Sequence, residues 1–193
     1  MSVRFVYLVR HGQENHAEKH DELGGPLTET GMAQAAATAE FLRYVPLTAV
    51  YTSTLRRAAQ TTSLLLAHHS HLTAQATTLL WECVPSIPLI LRESMSYLRP
   101  EQLAAEQARI TQAFNTYFAL PEPGQVHHDL VVCHGNLIRY FVCRVLETPP
   151  DLWLNLEIAN CGITQMEIRP NGRMVLVAHN LYNHLPHSLR TYI

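Results

Sequence analysis

Lysine is nearly missing from this chain: of its 14 lysine and arginine side chains, Lys19 is the single lysine. An arginine-dominated set suits bidentate grip on phosphate or carboxylate oxygens, which an ammonium cannot offer, although a compositional bias of the source genome would look the same. A surplus of charge is missing as well. With a net charge of -2 and a pI near 6.6, no broad basic field exists to draw in nucleic acid or an anionic membrane. Neither is an expected partner, and any anion site must be local. The four cysteines, Cys83, Cys133, Cys143 and Cys161, lack paired spacing, which argues against a disulfide framework and suits a reducing compartment. The opening apolar stretch, Met1 to Val9, is interrupted by Arg4 and closed by Arg10, too soon for a signal peptide or a membrane span. A cytoplasmic location is the expectation that follows. Internal repeats, low-complexity tracts and linkers are also lacking, and 193 residues with 47% hydrophobic content are expected to form one domain, 1–193.

What the chain does have is an alternation of short apolar runs and helical periodicities. Val3 to Val9 is a β-branched run that stops at Arg10-His11-Gly12 and reads as a buried strand. Asn15 to Gly25 is polar and reads as a loop. Thr28 is the candidate N-cap of a helix with Met32, Ala35, Ala36, Ala39 and Leu42 on its apolar face. Strand Ala49 to Thr52, helix Ser53 to Ala67 and strand Ala76 to Leu80 follow, then a proline-bearing loop from Cys83 to Pro100. Helix Glu101 to Phe118, strand Leu130 to Cys133 and helix Asn136 to Leu146 come next. Two strands, Gly162 to Ile168 and Met174 to Val177, flank the Asn171-Gly172 turn signal. This order predicts an α/β fold, a three-layer α/β/α sandwich with a mainly parallel sheet, whose ligands gather at the carboxyl ends of the strands.

Two of those strand ends share a design. Phe5 to Gly12 and Asp129 to Gly135 each deliver a histidine and then a glycine, His11-Gly12 and His134-Gly135, to what would be the same rim. A lone His-Gly is usually no more than a strand cap; two of them suggest one crevice if the strands are neighbours. Arg10 precedes His11 directly, and Arg56 and Arg57 open a helix after a strand, where side chains and free amides would both face an anion.

Four segments in order then resemble the histidine phosphatase superfamily, the phosphoglycerate mutase-like fold. They are Arg10-His11-Gly12-Gln13, Pro26 to Ala35, Ser53 to Thr61 with Arg57 rather than Arg56 in the family register, and His134-Gly135-Asn136-Leu137-Ile138-Arg139. Within the superfamily, Cys133 to Arg144, Thr148-Pro149-Pro150 and Ile168 to Arg173 are most similar to the mitochondrial serine/threonine phosphatase branch. The resemblance implies a metal-independent phosphatase that hydrolyses phosphomonoesters, phosphoprotein serine or threonine among them, through a phosphohistidine on His11. It implies a pocket of Arg10, Arg57 and His134 for the phosphoryl group, Glu82 as general acid, and Gln13 and Asn136 as candidate substrate contacts. Substrates would be a phosphorylated small molecule or a phosphoprotein.

Departures shift the weight among alternatives. The Ser-x-Trp-Asn of phosphoglycerate mutases is replaced by Glu14-Asn15-His16-Ala17, which weakens a phosphoglycerate-type mutase. A catalytically silent phosphate-binding module is the reading from another class. No Cys/His spacing meets a zinc pattern, so neither metal nor cofactor is expected. His16 and His20, His68, His69 and His71, and His127 and His128 are read as surface or capping residues. The apolar Leu152, Trp153, Leu154 and Leu156 are assigned to the core.

Overall fold

The computed structural model describes residues 2–18 and 21–192. Its centre is strand β1 (Val3–Arg10), in which Val6, Tyr7, Leu8 and Val9 are consecutively buried. A strand apolar on both faces has to be covered on both, which is the condition of a parallel sheet between helix layers. The six-stranded sheet also comprises β2 (Ala49–Ser53), β3 (Ala74–Thr77), β4 (Val126–Cys133), β5 (Ile163–Ile168) and β6 (Met174–Leu181), in the order β3-β2-β4-β1-β5-β6. Pairing is parallel from β3 through β2 and β4 to β1, then antiparallel from β1 to β5 and β6. The sheet is therefore mixed, with its parallel part holding the strand ends of interest.

Among the described residues there are four α-helices, α1 (Glu29–Leu42), α2 (Arg56–Leu65), α3 (Pro100–Tyr117) and α4 (Gly135–Val145). Strand alternation sorts them into two layers. Val6, Leu8, Val131 and Cys133 face Ile110, Phe114, Leu137 and Phe141 of α3 and α4. Tyr7, Val9, Leu130 and Val132 face Ala39, Leu42, Ala58 and Leu65 of α1 and α2. The expected α/β/α sandwich is realised in this way. The Asn171-Gly172 turn joins β5 to β6, with Gly172 at φ 82° and its N–H donating to Arg169 O at 2.9 Å.

Local expectations shift in identifiable places. The third strand ends at Thr77 rather than running over Ala76 to Leu80, because the Thr77 hydroxyl accepts from Leu79 N at 3.1 Å and folds Thr78–Leu80 into a 3-10 turn. The second helix is shorter than Ser53 to Ala67, since Ser53 completes β2. Thr28 does cap α1, accepting from Gly31 N at 2.9 Å. The buried face of α1 is rotated, however: Met32 is 47% exposed and Ala36 is exposed, while Gln34 and Thr38 are buried. Gln34 is tolerated inside because its amide accepts from Gln13 N at 2.8 Å and donates to Leu189 O and Thr191 Oγ1.

Of the histidines expected at the surface or at caps, His69 is buried and caps the carboxyl end of α1, with Nε2 3.2 Å from Leu42 O, whereas His20 lies outside the described residues. Trp153 joins the core and donates to Ser86 O at 3.3 Å, but Leu152 is exposed. The four cysteines are free and buried, and burial raises the pKa of Cys161 to about 12. Among the described residues no helix is long and apolar enough to cross a membrane.

Candidate active site

Register decides the site. Because β1 and β4 pair in parallel with Arg10 opposite Cys133, the chain leaves both strands at the same rim. His11 and His134 come together there with ring centroids 5.0 Å apart. Strand β2 ends beside them and releases α2, which carries Arg57 inward. Arg57 Nε donates to His11 Nε2 at 3.0 Å, Nη2 lies 3.0 Å from His134 Nδ1, and Nη1 faces Glu14 Oε1 at 3.4 Å. Arg56 turns away, pairing with Asp21 and donating to Gly24 O at 3.0 Å.

Partner chemistry assigns the histidine protons. His11 Nδ1 is 2.7 Å from Gly12 O, which can only accept, so Nδ1 carries the proton and Nε2 offers its lone pair. Opposite a guanidinium donor, His134 Nδ1 accepts, and Nε2–H donates to Ser53 Oγ at 2.9 Å. Both rings are pushed well below the usual histidine pKa, chiefly by burial. For His11 the cations Arg57 and Arg10 add to it; for His134, His11 and then Arg57 do. Both imidazoles are neutral at pH 7.

Arg10 is anchored at one end and open at the other. Its Nη1 donates to Ile158 O and Tyr192 O at 2.6 and 2.9 Å, and its buried Nε has no partner among the described residues. The Arg10 side chain lies against the start of α4, in ordinary contact with the position a Cβ of residue 135 would take, 3.5 Å from Arg10 Nε.

Glu82 follows the 3-10 turn after β3. Its Oε1 accepts from Cys83 N at 3.0 Å. Burial raises its carboxyl pKa, opposed by that bond, by Arg10 and Arg57, and by the Asn136 backbone N–H. A carboxyl of this kind keeps its proton to higher pH than an ordinary glutamate. The side chain of Asn136 donates to Cys83 O at 3.0 Å and accepts from Arg139. Gln13 accepts from the Thr28 hydroxyl at 2.8 Å.

Several supporting residues were not singled out by sequence. Glu14 is buried and braces both Arg57 and the amide of Gly25, at 2.8 Å. Ser53 fixes His134, Thr61 accepts from Gly12 N at 3.0 Å, and Asn160 donates to His11 O at 3.1 Å. Ser53 and Thr61 lie inside a recognised segment; Asn160 reaches His11 across 149 positions with no local signal. Two neutral imidazoles and two guanidiniums converging beside a carboxyl whose pKa burial raises form a pocket suited to a dianionic, tetrahedral group.

Comparison with known proteins agrees with that chemistry. A family model described as "Histidine phosphatase superfamily (branch 1)" matches residues 6–84 and 91–181. The serine/threonine-protein phosphatase Pgam5, mitochondrial, of Caenorhabditis briggsae is 34% identical over 189 residues, covering 94% of this chain and 64% of the relative. The Homo sapiens PGAM5 phosphatase is 35% identical over 181 residues, 91% of this chain and 61% of its own. The chain thus spans less than two thirds of the length of these curated relatives. A phosphoglycerate mutase from Plasmodium falciparum superposes with TM-score 0.67 at 27% identity, covering 100% of both chains. The fold is shared also by Bacillus stearothermophilus YhfR, with TM-score 0.74 at 20% identity over 94% of this chain and 98% of that one. The expected cytoplasmic location is overturned, since the curated relatives from worms, flies and mammals carry mitochondrial names. Cysteine spacing and apolar-run length report on disulfides and membrane spans, and neither encodes a compartment.

Proposed function

Because the chain belongs to the histidine phosphatase superfamily (branch 1), we propose that it hydrolyses phosphomonoesters through a phosphohistidine on His11, with 1–193 acting as one domain. One geometric feature supports this above the rest: His11 gives its Nδ1 proton to Gly12 O and turns an unprotonated Nε2 toward Arg57 and His134. A phosphate entering between the rings takes over the Arg57 donors that face them. Arg10, with its free Nε, and His134 complete the hold on the phosphoryl oxygens.

Nε2 then attacks phosphorus, and the phosphorus–oxygen bond to the leaving group breaks as the phosphorus–nitrogen bond forms. Glu82 passes its proton to the departing oxygen, releasing the alcohol. In the second half, water attacks phosphorus, Glu82 takes the water proton, and inorganic phosphate leaves with the electron pair of the P–N bond returned to Nε2. The arginines neutralise the equatorial oxygens, a task that requires no metal. Gln13 and Asn136 are placed in this scheme as contacts to the rest of the substrate.

Phosphoserine and phosphothreonine of proteins are the substrate class favoured, on the likeness to the serine/threonine-protein phosphatase relatives. Phosphorylated small molecules are the alternative within the same chemistry. The test is hydrolysis of p-nitrophenyl phosphate in EDTA by wild type and His11→Ala, with a denaturing alkaline quench of both enzymes on a 32P-labelled phosphoserine peptide. Turnover by wild type, an acid-labile phosphoprotein, and neither in His11→Ala are expected. An inactive wild type refutes the hydrolase, and an active His11→Ala removes His11 from the chemistry.

A further inference from the structure

Glu82 lies outside any helix or strand, between the 3-10 turn Thr78–Leu80 and the long 83–100 segment. A stretch without a ladder must find partners for its backbone elsewhere, and its conformation is only as well defined as those partners. Asn136 of α4 holds Cys83 O at 3.0 Å, and the remaining side chains that reach the backbone of residues 79–84 from far along the chain come from one turn of α3. Arg109 Nη1 donates to Leu79 O at 2.9 Å and Trp81 O at 3.1 Å, and its Nη2 donates to Glu82 O at 3.0 Å. Glu106, three residues earlier, accepts from Val84 N at 3.0 Å and pairs with Arg109 at 3.5 Å. One guanidinium and one carboxylate thus grip residues 79, 81, 82 and 84, on both sides of the Glu82 side chain. Both are about three-quarters buried, with side-chain exposures of 21% and 26%. Their donors and acceptors are directed at the backbone of the segment rather than at the phosphate pocket.

We propose that Arg109, braced by Glu106, is a positioning residue that sets the Glu82 carboxyl at the leaving-group oxygen. This rests on the assignment of Glu82 as the proton donor. A planar fork with several donors in fixed geometry can hold three carbonyls at once, which neither lysine nor an apolar side chain does. Loosening the segment leaves the hydrogen bonds that hold His11, Arg57 and His134 in place and misplaces the Glu82 carboxyl, which in the first half-reaction delivers the proton to the leaving group. The defect must therefore follow the basicity of the leaving group. A nitrophenolate departs without help, whereas a phenolate or alkoxide needs the proton.

The experiment compares Arg109→Met, Arg109→Lys and Glu82→Gln with wild type on p-nitrophenyl phosphate and phenyl phosphate, with circular dichroism confirming the fold. Glu82→Gln is expected to lose about 100-fold in kcat/KM, which reports the half-reaction in which the leaving group departs, on phenyl phosphate, at the lower end of general-acid contributions, and at most a few-fold on the nitrophenyl ester. Arg109→Met is expected to reproduce that selectivity at about tenfold, a displaced acid keeping part of its effect. Arg109→Lys should recover part of the loss. Should Arg109→Met fail to fold, the lysine variant carries the same comparison. Equal losses on both esters, or no loss on either, in the Arg109 variants while Glu82→Gln is selective would overturn the positioning role. A Glu82→Gln enzyme without selectivity refutes the proton-donor assignment, and the clamp falls with it.

Discussion

Replacing Gly31 by alanine sets two physical effects of opposite sign against each other. Gly31 lies in the first turn of α1, where alanine is favoured over glycine by about 1 kcal/mol in a helix. A Cβ at this position, however, would stand 2.3 Å from Gln13 O and 2.9 Å from Gln13 N, against 3.4 Å or more in ordinary contact. The obstacle is backbone on both sides, so no rotamer change relieves it, and the 12–13 segment has to retreat by about 1 Å. Overpacking of this kind costs about 1–3 kcal/mol, which outweighs the gain in helix propensity. The displaced strip includes Gly12 O, the acceptor that holds His11 Nδ1 at 2.7 Å. A misplacement of about 1 Å at a reacting group can cost about 100-fold in rate. Gly31→Ala is therefore expected to unfold at lower temperature than wild type, with kcat on p-nitrophenyl phosphate down by 10- to 100-fold on the same estimate. Differential scanning calorimetry and steady-state kinetics on the same preparation provide both readings. A variant as stable as wild type with unchanged kcat would show that the β1 exit and α1 are not locked against each other, and would refute the reasoning.

Two further outcomes follow from the site. Glu14→Gln keeps an acceptor for Gly25 N but removes the anion beside Arg57; inorganic phosphate should inhibit about tenfold more tightly, because the carboxylate no longer competes for the guanidinium, and an unchanged or weaker Ki excludes that competition. The pH profile of kcat/KM should keep its acid limb well below pH 6.5, since burial and the two arginines hold His11 neutral there. Its basic limb should lie above the ordinary glutamate range and disappear in Glu82→Gln, since the raised pKa keeps Glu82 protonated to higher pH and activity is lost as it ionises. An acid limb at the ordinary histidine value would contradict the first expectation, and a basic limb that survives in Glu82→Gln the second.

Local chemistry carried much of this protein's design, and long-range contact carried the remainder. The continuous apolar runs of β1 and β4, the Thr28 cap and the Asn171-Gly172 turn were legible because each depends on neighbours in sequence. His11, His134 and Arg10 could be nominated for a similar reason, since strand ends are local features that the parallel rim brings together, while local position left Arg56 and Arg57 equal and only the family resemblance favoured Arg57. Residues that serve the site from a distance were not legible in this way. Glu14, Ser53 and Asn160 act only through partners that folding brings to them. The inward rotation of Gln34 and Thr38 on α1 contradicts the apolar periodicity because distant groups, the Leu189 carbonyl for Gln34 and the His184 ring for Thr38, satisfy their polar atoms. Arg109 looks like any arginine on an amphipathic helix until α3 packs against the segment bearing Glu82. By itself the sequence determined which side chains could take part in the chemistry, because identity and local spacing set their reactivity. Tertiary structure decided their tautomers, their charge states and their aim, because those depend on groups tens of residues away that only the packed sheet and its helix layers bring within hydrogen-bond reach.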